Sequence, residues 1–96
     1  MRVVIKEPGK EPRSADIPED LHVMQDIVGG FIETVRVSRD HIIVCNEEGR
    51  LLELEPNTFG LRGTFFVCGD AGEEFRGLDA SEEEKITFLL SERSKR

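Results

Sequence analysis

Gly63-Thr64-Phe65-Phe66-Val67-Cys68-Gly69-Asp70 is the stretch whose reading decides the fold. Between its first two glycines runs a short, strongly apolar segment of β-branched and aromatic residues, which reads as a core strand with Phe66 at its centre. Val28-Gly29-Gly30-Phe31-Ile32-Glu33 is its counterpart upstream. There a glycine pair divides an apolar helical face from a second strand. Helix-period and strand-period segments thus stand side by side in one short chain, and the expected class is α+β. Neither block offers a nucleophile–base pair, a metal-ligand set or a phosphate loop. The sequence defines a fold and names no chemistry.

Upstream of the glycine pair, Val3-Val4-Ile5 reads as a strand and Glu7-Pro8-Gly9-Lys10 as a type II turn. The return strand, Glu11 to Asp16, contains Pro12, which cannot donate to a ladder and so belongs on an edge. Pro18 is expected in the first turn of a helix whose apolar face is Leu21, Met24, Ile27 and Val28. Gly29-Gly30 follows the C-terminal end of that helix. Anion cradles form at N-terminal ends, so a left-handed C-cap is the expected role.

Between the two blocks a three-strand meander is expected. Phe31 to Val37 forms its first strand, Ser38-Arg39-Asp40 a turn, and His41 to Cys45 an apolar strand covered on both faces. Asn46-Glu47-Glu48-Gly49 is read as a hairpin turn leading into Arg50-Leu51-Leu52-Glu53-Leu54-Glu55, with Leu52 and Leu54 inward. After the core strand come a turn at Gly69-Asp70-Ala71-Gly72 and a short pairing segment at Glu74-Phe75-Arg76. The final helix begins at Asp79-Ala80-Ser81, with Ser81 and Glu84 as a capping box and Ile86, Leu89 and Leu90 as its buried stripe. Arg93, Lys95 and Arg96 favour its C-terminal end. The architecture is a mainly antiparallel sheet with an N-terminal hairpin, one helix, a meander and a C-terminal helix, in one domain spanning residues 1–96.

Composition narrows function by exclusion. The net charge is −7, and residues 40–92 hold thirteen acidic against four basic side chains. Such a surface repels phosphate backbones, so direct nucleic-acid binding is disfavoured. The chain has no Trp or Tyr, which removes the preferred base-stacking groups. No apolar run reaches the roughly 18 residues of a membrane helix, and none resembles a signal peptide. Cys45 and Cys68 lie inside apolar runs and read as reduced, buried thiols of a cytosolic protein.

Ser38, Asp40 and His41 invite a triad, but neighbours around a strand turn are expected to point in different directions. His41 and Cys45, with Cys68 and His22, have ligand-type side chains for zinc. Positions 41 and 45 of one strand lie about 13 Å apart, too far for a shared tetrahedral site. The carboxylate pairs Glu47-Glu48 and Glu73-Glu74 and the trio Glu82-Glu83-Glu84 read as solvated groups. No catalytic residue, metal site or cofactor follows.

Pro56 to Gly63 is polar and glycine-rich yet carries Phe59 and Leu61. A loop phenylalanine ordinarily folds back onto the core. Its other role is to anchor a partner, since binding residues concentrate on loops held by rigid strands. Asn57, Phe59, Leu61 and Arg62 are therefore the candidate partner-binding residues.

The order Glu7-Pro8-Gly9-Lys10, Val28-Gly29-Gly30-Phe31-Ile32-Glu33, Val44-Cys45-Asn46-Glu47-Glu48-Gly49 and Gly63-Thr64-Phe65-Phe66-Val67 resembles a family of small uncharacterised proteins. Its members come from bacteria, their phages and conjugative elements, and the family is known only as a domain of unknown function. The resemblance implies a cytosolic accessory protein borne on a mobile element, and no cofactor. Three classes of function stay open: binding to another protein, mimicry of nucleic acid by an acidic face, and an enzyme without a visible motif.

Overall fold

A computed structural model describes residues 1–91. The elements in chain order are β1 (Arg2–Lys6), β2 (Arg13–Asp16), α1 (Leu21–Val28), β3 (Ile32–Arg36), β4 (His41–Asn46), β5 (Phe65–Asp70), β6 (Phe75–Arg76) and α2 (Ala80–Leu90). The strands form one antiparallel sheet in the order β2-β1-β5-β4-β3, with β6 paired to the far end of β5. The α+β class, the N-terminal hairpin and the C-terminal helix stand as the sequence implies.

β5 lies in the middle of that order, and Phe65, Phe66 and Cys68 are fully buried. The period-2 alternation of strands sorts the core into two layers. Val3, Ile5, Ile42, Val44, Phe66 and Cys68 meet Met24 and Val28 of α1 on one face. Val4, Ile43, Cys45, Phe65 and Val67 meet Leu78 and Ile86 and Leu90 of α2 on the other. A continuous apolar run is what a strand needs when both its faces are covered.

α1 begins later than Pro18 implies. Asp20 is the N-cap, its carboxylate accepting from His22 N (2.8 Å) and Val23 N (3.3 Å). The helix buries Met24 and Val28 and leaves Leu21 exposed, because Leu21 now stands in the first turn. Gly29 ends it in the left-handed region (φ 79°), with its N–H on Gln25 O (2.8 Å), as a C-cap glycine should.

The third strand of the meander is not residues 50–55. Leu52 N donates to Glu48 O (2.8 Å), Leu54 N to Gly49 O (2.9 Å), and Glu53 has φ 54°. These bonds wind residues 47–54 into compact turns and leave Leu51 and Leu52 exposed and Leu54 half-buried. Asn46 starts this excursion from a buried position. Its Nδ2 donates to Val28 O (3.1 Å) and its Oδ1 accepts from Glu48 N (2.7 Å), so the amide ties the turn to the end of α1. The chain re-enters the sheet beside β4 only at β5, through pairs such as Ile43↔Val67.

Two boundaries differ at the C-terminal end. β5 runs on through Gly69 and Asp70, and the turn follows at Ala71–Glu74, closed by Ala71 N on Glu74 O (2.9 Å). The N-cap of α2 is Asp79 rather than Ser81. Asp79 Oδ1 accepts from Glu82 N (2.8 Å), and Glu82 Oε1 accepts from Asp79 N (3.0 Å). Starting the helix there buries Ile86 and Leu90 and leaves Leu89 exposed. Arg93, Lys95 and Arg96 lie outside the described residues.

Both cysteines are free and buried. The register sets Cys68 opposite Ile42 and Cys45 opposite Glu33, and the two thiols occupy opposite core layers, so no disulfide can join them. Burial pushes the Cys68 thiol up to about 12 and raises that of Cys45, which Glu33 raises further. The native protein is therefore expected to react slowly with an aromatic disulfide reagent. After denaturation without reductant both thiols should titrate, and finding none would reveal a disulfide. Phe66→Ala should destabilise the domain by about 3–5 kcal/mol in urea unfolding, as truncation of a fully buried aromatic does. A loss below about 1 kcal/mol would contradict its central position.

Candidate functional site

α2 packs over β1 and β2, on the same side of the sheet as Val4 and Val67. The β4–β3 half of that face is left to the segment 56–63. Alternation places Glu33, Val35 and Val37 on this open half, since Val35 pairs with Ile43 and Glu33 with Cys45. Val35 and Val37 are exposed, as is Leu89 on the facing flank of α2.

Asn57 fixes the loop above this floor. Its Nδ2 donates to Lys6 O (3.0 Å) and Gly63 O (2.8 Å), while its Oδ1 accepts from Thr58 N (2.7 Å) and Lys6 Nζ (3.4 Å). Lys6 is fully buried at the end of β1, so the loop is held to the core of the sheet. Leu61 packs half-buried against the core layer beneath α2. Arg62 bridges to Pro56 and donates to Leu54 O (3.2 Å). Asn57, Leu61 and Arg62 thus build the loop.

Phe59 is different. It is 61% exposed, against the ordinary expectation for a loop phenylalanine, and its backbone is left-handed (φ 60°, ψ 24°). For a bulky L-residue that conformation costs about 1–2 kcal/mol. The one-turn segment Thr58–Gly60 imposes it, with Leu61 N on Thr58 O (3.2 Å) closing the turn. Phe59 stands between two cavities. One, of about 240 Å³, is lined by Val37, Ser38, His41, Val67, Glu82, Ile86 and Leu89. The other, of about 520 Å³, is lined by Glu33, Cys45, Arg50, Leu61 and Arg62. Phe59 lines both, so the two cavities flank it as one groove along the open half of the sheet.

A polar clasp closes one end of the groove. Gly69 is the position that permits it, because a Cβ there would meet the Arg76 side chain at 2.5 Å. Arg76 crosses Gly69 and donates to both Glu82 oxygens, from Nη1 to Oε1 (2.9 Å) and from Nη2 to Oε2 (2.8 Å). His41, opposite Gly69 in the register, bonds Glu82 Oε2 through Nε2. A carboxylate only accepts, so Nε2 donates to it, and Nδ1 lies within hydrogen-bond distance of Ser38 Oγ (2.9 Å). Ser38 and His41 do meet, contrary to the sequence expectation, and the acid is Glu82 rather than Asp40.

Ser38, His41 and Glu82 stand in the order of a serine hydrolase relay, but two features set the cluster apart from one. Glu82 is already neutralised by a bidentate guanidinium, which weakens its hold on an imidazolium. The backbone N–H at Ser38 Oγ, that of Asp40 (3.4 Å), points at the hydroxyl itself rather than at a developing oxyanion. The cluster joins β4, β6 and α2, and its evident work is to hold the start of the helix on the sheet. Among the described residues no three His, Cys, Asp or Glu side chains converge as metal ligands.

Glu82 and Glu83 are half-buried and ion-paired rather than freely solvated. Arg76 chiefly, with Asp79 N–H and His41, holds the Glu82 carboxyl far below its ordinary value. Arg2 lowers Glu83 through paired contacts of 3.2 Å. His41 and Arg2 were not legible locally as partners, since they stand 41 and 81 positions from the carboxylates they meet.

A family described as Domain of unknown function (DUF3846) matches residues 1–91, and the chain belongs to that family. No curated protein and no solved structure matches it. Among the described residues no helix is long and apolar enough to cross a membrane.

The clasp has a pH signature. A carboxyl whose folded pKa is depressed adds stability above its unfolded pKa, about 4.3 for glutamate, and loses it as pH falls through the folded value. Thermal melts of the wild type should therefore weaken progressively below about pH 5. Glu82→Gln should unfold about 1.5–3 kcal/mol more easily at pH 7, and its stability should fall less steeply over the acid range. Parallel pH profiles for the two proteins would show that Glu82 is not held by Arg76.

Proposed function

We propose that the protein is a non-catalytic binding module of the cytosol, an accessory protein whose partner is another protein. The observation that carries this reading is Phe59. A bulky aromatic sits in a left-handed backbone that costs stability, is 61% exposed, and rests on a loop anchored to a buried lysine. Strain kept at an exposed side chain points to function rather than to packing. The surroundings support the same reading: exposed aliphatic residues border the groove, and aromatic anchors in desolvated pockets dominate protein interfaces. Two free, buried thiols accord with a reducing compartment.

The rival reading, an acidic mimic of nucleic acid, has less behind it. Of Glu82, Glu83 and Glu84, the first two are committed to Arg76 and Arg2, leaving Glu84 to present free charge. Affinity capture from a native host lysate separates the readings. Phe59→Ala should weaken capture of the partner by at least about 2 kcal/mol, some thirtyfold, with the melting temperature nearly unchanged. Full retention by Phe59→Ala, with loss on Glu84→Gln or on added salt, would favour the mimic.

A further inference from the structure

The groove runs to a sheet edge that is free among the described residues, and the two features together define a more specific ligand; the inference rests on the protein-binding reading above. β3 is the outermost strand on its side of the sheet. Val37 N donates to His41 O (3.1 Å) and Glu47 N to Phe31 O (2.8 Å). In the same register, the odd-numbered residues of β3 direct their N–H and C=O groups at β4. Ile32, Thr34 and Arg36 therefore direct theirs away from the sheet. Meanwhile the side chains of Glu33, Val35 and Val37 stand on the groove face. The opposite edge is blunted, since β2 is short, follows Pro12 and carries Arg13 and Asp16. β3 also carries charges, Glu33 and Arg36, but it is one residue longer, follows no proline and is covered on its outer side by no other described strand.

We propose that β3 is a docking edge for an extended peptide segment, which pairs antiparallel with Ile32–Arg36 as an added strand and lays alternate side chains into the groove. The backbone fit comes from the outward groups of Ile32, Thr34 and Arg36. Side-chain fit sets the sequence the edge prefers. Apolar residues belong opposite Val37 and Val35, where they widen the apolar floor beyond β3. A basic residue belongs opposite Glu33, whose exposed carboxylate sits in a chain of net charge −7. Read in the direction of the antiparallel partner, the motif is apolar, any, apolar, any, basic. A second copy of the chain fits less well, because symmetric pairing about Thr34 sets Val35 of one copy against Glu33 of the other.

The test uses the full chain and a short fluorescent synthetic peptide with Leu, Val and Lys at alternate positions and Ser or Thr between them. Fluorescence anisotropy should show saturable binding. N-methylation of the peptide amides that face β3 should weaken it at least about tenfold, and exchange of the peptide Lys for Glu should also weaken it. Thr34→Pro should do the same from the protein side, since the Thr34 N–H lies outside the ladder to β4. The methylated peptide serves the same purpose should that variant fail to fold. Absence of saturable binding would overturn the proposal. So would binding that survives N-methylation while remaining sensitive to Phe59→Ala, an outcome that retains the groove and removes the added strand. Sedimentation showing a dimer abolished by Thr34→Pro would overturn it in favour of a second copy.

Discussion

Burial of β5 on both faces is the constraint from which the rest of the structure follows. A strand with Phe65, Phe66, Val67 and Cys68 in succession has no face for water, so each face needs a covering layer. α1 supplies one layer and α2 the other. Neither helix is long, and α2 lies over β1 and β2, so the far half of its face passes to a loop. The groove is what that incomplete cover leaves. It arises from two short helices spread over a sheet wider than they can cover.

The loop and the clasp stabilise this arrangement from opposite ends. Asn57 joins the eight-residue irregular segment 56–63 to β1 through Lys6. Gly69 admits Arg76, Arg76 takes Glu82, and Glu82 takes His41, fixing the first turn of α2 against the sheet. Phe59 thus projects between two hydrogen-bonded anchors. Such preorganisation is what a binding surface needs if little affinity is to be lost in ordering it.

Much of the fold was legible because its signals are local. The apolar runs at 42–45 and 65–68, the turn at Pro8-Gly9 and the helix stop at Gly29 each act within a few residues. Residues 50–55 misled because Leu52 and Leu54 alternate with polar neighbours as a strand would, whereas Asn46 and Gly49 commit the backbone to turns first. The C-terminal cap misled because Asp79 with Glu82 and Ser81 with Glu84 satisfy one pattern two residues apart. Only the burial of Ile86 and Leu90 chooses between them. Of the candidate site, the loop was legible and its internal division was not. Asn57 turned inward and Phe59 outward because of Lys6, a residue 51 positions away. Ser38 and His41 stood out together in the sequence, but their meeting with Glu82 and Arg76 was not legible, since these residues converge only when β4, β6 and α2 are assembled.

Among the described residues, an unpaired strand edge flanks the groove. Amide hydrogen exchange along β3, followed residue by residue by NMR, tests it most directly. Amides of Glu33 and Val35, bonded to β4, should exchange at least about tenfold more slowly than those of Ile32, Thr34 and Arg36, with the β5 amides slower still. Uniform protection along β3, or slow exchange at Thr34, would mean that the edge is already covered and would contradict the account.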